Sequence, residues 1–202
     1  MSEFTAIYST NHGSSAINSA MRARESISIS GSKIMAELTK RVGDEEFSGK
    51  AGKEIKNAIK AVTSSFDVEG AKKVSYELYQ QSNIETSITF RGQGITKAGM
   101  EAFAKAQKEG SIVHSESFLS VSTQKSVAER FMKKATTQLM IEVQGFSSAG
   151  VHSAYSVKSE NEEVFSPHAD FEVTMVQKET MPYFVQLKEV RAHTGSRMPM
   201  PY

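Results

Sequence analysis

Apolar side chains along this chain recur first with helical spacing and then with strand alternation, and the change falls near residue 84. Ile34, Leu38 and Val42 stand at i, i+4, i+8, and Ile55, Ala58, Ile59 and Val62 at i, i+3, i+4, i+7. Each set makes one apolar stripe on a helix. A third stripe, Ala71, Val74 and Leu78, follows Asp67, a residue suited to an N-cap. Short helices with one apolar stripe depend on packing, so the spacing predicts a helical layer over 33–82 that covers a core. Beyond it, residues 87–91 alternate and end at Gly92. A helix is expected over 97–107, with Met100, Phe103, Ala104 and Gln107 on one face and Gly110 as its stop. Residues 117–122 read as a strand, and Thr123 is placed to cap a helix carrying Val127, Ala128 and Phe131. Three further strands are expected at 139–143, 171–176 and 183–187. Helices first and clustered strands afterwards predict an α+β fold.

Residues 1–32 differ from both regions. They hold nine serines and few large apolar side chains, so they bury little surface against their ordering entropy and are expected to be flexible. Within them, residues 26–30 alternate as a short strand would. Three segments follow: a leader at 1–32, the helical layer at 33–82, and a core at 83–195. No apolar run approaches the ~20 residues that span a bilayer. The N-terminus lacks the basic-then-apolar order of a cleaved signal peptide.

Composition narrows the chemistry. With no cysteine, disulfides, thiolate metal sites and cysteine nucleophiles are excluded. A net charge of +1 gives no overall field favouring nucleic acid or an anionic membrane. Lys53, Lys56 and Lys60 cluster only at helical spacing beside an apolar stripe, as a solvated helix face does. His12, His114, His152, His168 and His193 lack metal-binding spacing, so no metal is expected. Neither a Gly-x-Ser-x-Gly elbow nor a Gly-x-x-x-x-Gly-Lys loop occurs.

Three segments in the second half carry the candidate chemistry. They are Phe90-Arg91-Gly92, then Phe118-Leu119-Ser120-Val121-Ser122, then Ser159-Glu160-Asn161-Glu162-Glu163-Val164. In this order they resemble the arginine, Ser-x-Ser and Glu-x-Glu motifs of the mono-ADP-ribosyltransferase toxins and effectors. The resemblance covers about residues 84–190 and implies a split antiparallel β-sandwich with NAD+ as co-substrate in a cleft. Breaking the nicotinamide bond builds positive charge on the ribose, which a carboxylate stabilises. The pyrophosphate is suited to a guanidinium, and close backbone approach to the nicotinamide favours glycine. By resemblance, Arg91 holds phosphate and ribose, Gly92 docks the nicotinamide, and Ser120 orients the catalytic glutamate. Ser122 completes the cofactor-binding strand. Val121 stands where the family has threonine, on the strand face away from both serines.

Two registers compete in the third segment. In one, Glu160-Asn161-Glu162 is the motif, Glu162 is catalytic and Glu160 activates the acceptor, which implies arginine as target. This register retains both carboxylates and the spacing to Phe171, and is preferred. In the other, Glu163 is catalytic, Val164 and Phe165 fill the aliphatic places, and Asn161 replaces the first glutamate. The stretch 151–158, with Tyr155, resembles the turn that recognises the target protein. The resemblance thus implies a protein-modifying bacterial effector or toxin. It would be secreted without a cleaved signal, act in the target-cell cytosol, and have a chaperone or immunity protein as a possible partner. Two rivals stand beside it: an NAD+ glycohydrolase, and a degenerate member that binds a partner without catalysis.

Overall fold

The computed structural model describes residues 3–23, 30–61, 85–151 and 160–202. The alternation at 26–30, the third helical stripe with Asp67, and the turn carrying Tyr155 lie outside the described residues. The chain divides into two units, Met1–Val74 with Val151–Ser159, and Ser75–Gly150 with Glu160–Tyr202.

The described residues of the first unit form α1 (Glu3–Tyr8), α2 (Asn11–Ala23), α3 (Gly31–Val42), a short 3-10 turn (Glu45–Phe47) and α4 (Lys50–Ala61). The expected flexible leader therefore contains two helices. Its apolar residues are small but regularly placed: Gly13, Ala16, Ile17 and Ala20 are the buried stripe of α2. Small residues let backbones approach closely, and a Cβ on Gly13 would lie 2.0 Å from the Ile7 carbonyl oxygen. Polar contacts fix the arrangement. The Glu37 carboxylate on α3 accepts from the Asn11 and His12 amides at 2.8 and 2.9 Å, satisfying two orphan donors at the start of α2. Arg41 donates to the Ser9 carbonyl at 2.8 Å. Ile34 and Leu38, expected on the apolar stripe of α3, are buried, whereas Val42 is only partly so.

In the second unit, β1 (Ser87–Gly94), α5 (Lys97–Glu109), β2 (Ile112–His114), β3 (Leu119–Ser122) and α6 (Lys125–Met132) come first. They are followed by β4 (Gln138–Gly145), β5 (Ala149–Gly150), β6 (Glu162–Phe165), β7 (Asp170–Gln177), β8 (Tyr183–Val190) and β9 (Arg197–Pro199). The strands join in one sheet ordered β5-β6-β3-β1-β4-β8-β7-β2-β9. The fold is α+β, and its sheet is mixed: β4 with β8 and β2 with β9 run parallel. The remaining strand pairs are antiparallel, as the resemblance implies.

The sheet curls on itself. Phe165 near the β6 edge meets Phe171 of β7 edge-to-face at 5.3 Å between centroids. A Cβ on Gly145 of β4 would lie 2.5 Å from the same ring. Between the two halves lies the core, in which Leu119, Val121, Leu139, Ile141, Val143, Phe165, Phe171, Val185 and Leu187 join Met100 and Phe103 of α5. The buried stripe of α5 includes the expected Met100 and Phe103, but its other members are Gly99 and Ala106, while Ala104 is half-buried and Gln107 exposed. Thr96 caps it by accepting from the Gly99 amide at 3.0 Å, and Gly110 ends it at φ 65°. On the other face of β1, α6 packs Ala128 and Met132 onto Phe90, Met140 and Phe184. Phe131, expected on that apolar face, is instead 44% exposed, and Met132 takes the buried place.

One buried carboxylate holds the turn after β4. Glu189 accepts from the Phe146 amide at 2.6 Å, the Ser147 amide at 2.9 Å and the Ser147 hydroxyl. Glu189→Ala would strand three donors in a buried place, and each unmet one costs about 1–3 kcal/mol. We expect the urea midpoint to fall at unchanged slope, by an amount on the order of 3 kcal/mol.

Candidate active site

The site forms where β1 and β3 part. Along its whole length β1 is paired with β4, from Ser87↔Gly145 to Gly94↔Gln138. The strand therefore continues two residues past Gly92, where alternation alone had ended it. With β3 it shares a single pair, Phe90↔Ser122. Past that pair the two strands diverge, and Arg91 is the next residue of β1. Its guanidinium crosses the gap: one terminal nitrogen donates to the Ser120 carbonyl at 2.8 Å. Its Nε donates to Gln93 Oε1 at 2.6 Å. Both acceptors are neutral, so they orient the guanidinium without cancelling its charge.

Ser122 joins three elements. Its hydroxyl donates to the Glu160 carbonyl at 2.6 Å, tying the approach to β6 onto β3. The same oxygen accepts from the Gln124 amide at 3.0 Å, the first orphan donor of α6. Gln124, not Thr123, is the N-cap residue, and its own side chain makes no capping bond. Ser122 takes over that work because β3 delivers its side chain directly under the helix start.

On β6, Glu162 pairs with Ser122, Glu163 with Val121, and Val164 with Ser120. Directly opposed residues share a sheet face, and the faces alternate along a strand. Glu162 therefore lies on the face of Ser120 and Ser122. Glu163 lies on the face of Leu119, Val121 and Phe165, which belong to the core. Its carboxylate accepts from the Ser148 hydroxyl at 2.6 Å, and Ser148 follows the turn that Glu189 holds. Adjacent strands are ~4.8 Å apart, so the continuous row Phe90–Ser122–Glu162 puts Glu162 two strand spacings, about 10 Å, from the strand carrying Arg91.

Arg91, Ser120, Ser122, Glu162 and Glu163 thus stand on three neighbouring strands but not on one face: Phe90 shares the face of Ser122 and Glu162, so alternation turns Arg91 to the face of Val121 and Glu163. Glu160 stands apart from the strand alternation. β6 begins at Glu162, and Asn161 turns the chain with φ 39°, so Glu160 and Glu162 are not two residues of one strand. Gly92 answers to packing on the other side: a Cβ there would lie 1.7 Å from the Ala128 carbonyl oxygen in α6. Gln93 and Ser148 were not found from the sequence. Gln93 had a usable signal, since a polar residue two positions after a strand arginine shares its face. Ser148 had none, because its contact depends on how the turn closes.

A sheet curled around one core, opened between two strands and edged by a guanidinium, serines and carboxylates, is the architecture of ADP-ribosyltransferases. Residues 72–195 match the family model described as NAD:arginine ADP-ribosyltransferase, and the chain belongs to that family. Solved structures agree in fold. Exoenzyme S from Pseudomonas aeruginosa, solved with human 14-3-3 protein beta and carba-NAD, superposes with a TM-score of 0.55 at 18% identity, over 95% of this chain and 76% of that one. The catalytic domain of VahC from Aeromonas hydrophila gives 0.51 at 17% identity, over 94% and 99%. The ADP-ribosyltransferase Vis from Vibrio splendidus, with an inhibitor bound, gives 0.51 at 17% identity, over 98% and 82%. No curated protein matches the sequence significantly. Among the described residues no helix is long and apolar enough to cross a membrane.

Proposed function

We propose that this chain is a mono-ADP-ribosyltransferase that moves ADP-ribose from NAD+ to a protein side chain, arginine being the acceptor, as a secreted bacterial effector or toxin acting in the target-cell cytosol. The observation that carries this reading is the guanidinium of Arg91 held across the β1–β3 gap by two neutral oxygens. A planar guanidinium aimed by two fixed acceptors suits a pyrophosphate.

In this reading Arg91 holds phosphate and ribose, and the β1 backbone at Gly92 meets the nicotinamide carboxamide. Ser120 and Ser122 line the strand that faces the sugar. Glu162 stabilises the positive charge that builds on the ribose as neutral nicotinamide leaves, and fixes the 2′-hydroxyl. Glu160 takes the proton of the acceptor. Labelled NAD incubated with the pure protein and a cell lysate tests the whole: labelled protein bands are expected, and their absence together with intact NAD would overturn it.

The turn at Asn161 favours a second reading. Because it takes Glu160 out of the strand, the acceptor-activating group lacks the shared face that a Glu-x-Glu strand gives it. Transfer to water, an NAD+ glycohydrolase activity, needs no such group. Free ADP-ribose without labelled protein is the result that selects this reading. In either case Arg91→Lys keeps the charge but loses the planar fork, and is expected to weaken NAD binding by about tenfold. Calorimetric titration checks this, and unchanged affinity would remove Arg91 from its role.

A further inference from the structure

We infer that Gln93 is the positioning residue of the arginine anchor, and that its cost to the fold is retained for this purpose. The inference rests on the reading of Arg91 as the group that receives the NAD pyrophosphate. Gln93 stands two residues after Arg91 on β1, so both side chains leave the same sheet face. The Gln93 Oε1 accepts the Arg91 Nε–H at 2.6 Å.

This contact fixes which way the amide points. A guanidinium only donates, so the oxygen of Gln93 must be the atom that meets it. The Nε2 group is then turned away, and it is buried with no hydrogen-bond partner. The neighbouring strand offers nothing to it on that face: Gln93 is paired with Leu139, which is fully buried and apolar. A buried donor without a partner is destabilising, and an apolar side chain of similar size would remove the penalty. Glutamine at this place thus serves the arginine at the expense of the fold.

A carboxylate would also accept from Nε and would leave no orphan donor. It would, however, bring a negative charge against the guanidinium and cancel the field that attracts a pyrophosphate. The carboxamide aims the cation and adds no charge of its own. Gln93 therefore separates two properties that usually move together, stability and ligand affinity.

The test measures NAD affinity by calorimetry and thermal midpoint by fluorescence, in wild type, Gln93→Leu and Gln93→Glu. With Leu, the dissociation constant for NAD is expected to rise about tenfold, as for loss of one hydrogen bond to a charged group. The midpoint is expected to stay or rise, and kcat at saturating NAD to stay within about twofold, since the loss is one of binding. With Glu, the midpoint rises and NAD affinity falls further than with Leu. Gln93→Glu preserves the side-chain shape, so it keeps the question open to measurement where Leu fails to fold. Affinity equal to wild type in both variants overturns the proposal, and so does a midpoint that drops along with affinity. Wild-type protein that binds no NAD overturns the reading of Arg91 itself and this inference with it; wild-type binding with unaffected variants overturns Gln93 alone.

Discussion

Glu162→Gln is expected to lower both ADP-ribose transfer and NAD hydrolysis on the order of a thousandfold, the scale of losing a principal electrostatic stabiliser of a transition state. NAD affinity and thermal midpoint are expected to hold. Gln keeps the volume and hydrogen-bonding reach of the side chain and removes only its negative charge. That charge matters where the ribose becomes cationic, in the transition state, and little in the bound ground state. Rapid quench of labelled NAD, read both as labelled protein and as free nicotinamide, gives the two rates together.

The companion variant Glu163→Gln decides the register. Glu163 faces Leu119, Val121 and Phe165, and its carboxylate is bonded to Ser148. In our reading it is a buttress, so its variant loses stability before it loses rate. Near-complete activity in Glu162→Gln with loss in Glu163→Gln would instead move the catalytic carboxylate one residue along. That outcome would also put Asn161 in the place of the acceptor-activating residue. The two carboxylates lie on opposite sheet faces, so no intermediate assignment is open to them.

Much of this is legible in the sequence because it depends on local periodicity. The strand at 87–91, the helix ending at Gly110 and the strands near 139, 171 and 183 all appear where alternation or a stop residue put them. So does the serine strand. What escaped depends on contacts between distant residues. The buried stripe of α2 is mostly small, with Gly13, Ala16 and Ala20 beside Ile17, and contributes little hydrophobicity, so composition outweighed spacing in the reading of residues 1–32. β2 and β9 are three residues each, too short for any period, and exist because β2 pairs with β7 and β9 pairs with β2. At the third motif, Glu-Asn-Glu-Glu reads as a strand throughout. Asn161 instead adopts a left-handed conformation that asparagine tolerates better than most residues. The bond from Ser122 to the Glu160 carbonyl, 38 positions away in sequence, accompanies that turn.

Gly92→Ala is expected to be the most damaging single-methyl change in the sheet, lowering the thermal midpoint on the order of 10 °C, as a severe overpacking would in a chain of this size. The added Cβ would lie 1.7 Å from the Ala128 carbonyl oxygen, 2.6 Å from its carbon and 2.8 Å from the Met132 nitrogen. All three are backbone atoms of α6, so no side-chain rotation relieves the clash, and the helix must lift from Phe90, Met140 and Phe184. The helix start is tied to Ser122, so the displacement reaches the strand that carries both serines. Activity is therefore expected to fall together with stability. This separates two explanations of the glycine. A residue kept only for backbone approach to nicotinamide would, on gaining a methyl, lose NAD binding and keep its midpoint. A residue kept for helix approach loses both, and trimming a side chain such as Met132 does not recover the loss, because the clash is with the helix backbone. Circular dichroism melts beside NAD titrations distinguish these results, and an unchanged midpoint in Gly92→Ala would show that α6 does not sit against β1 as described.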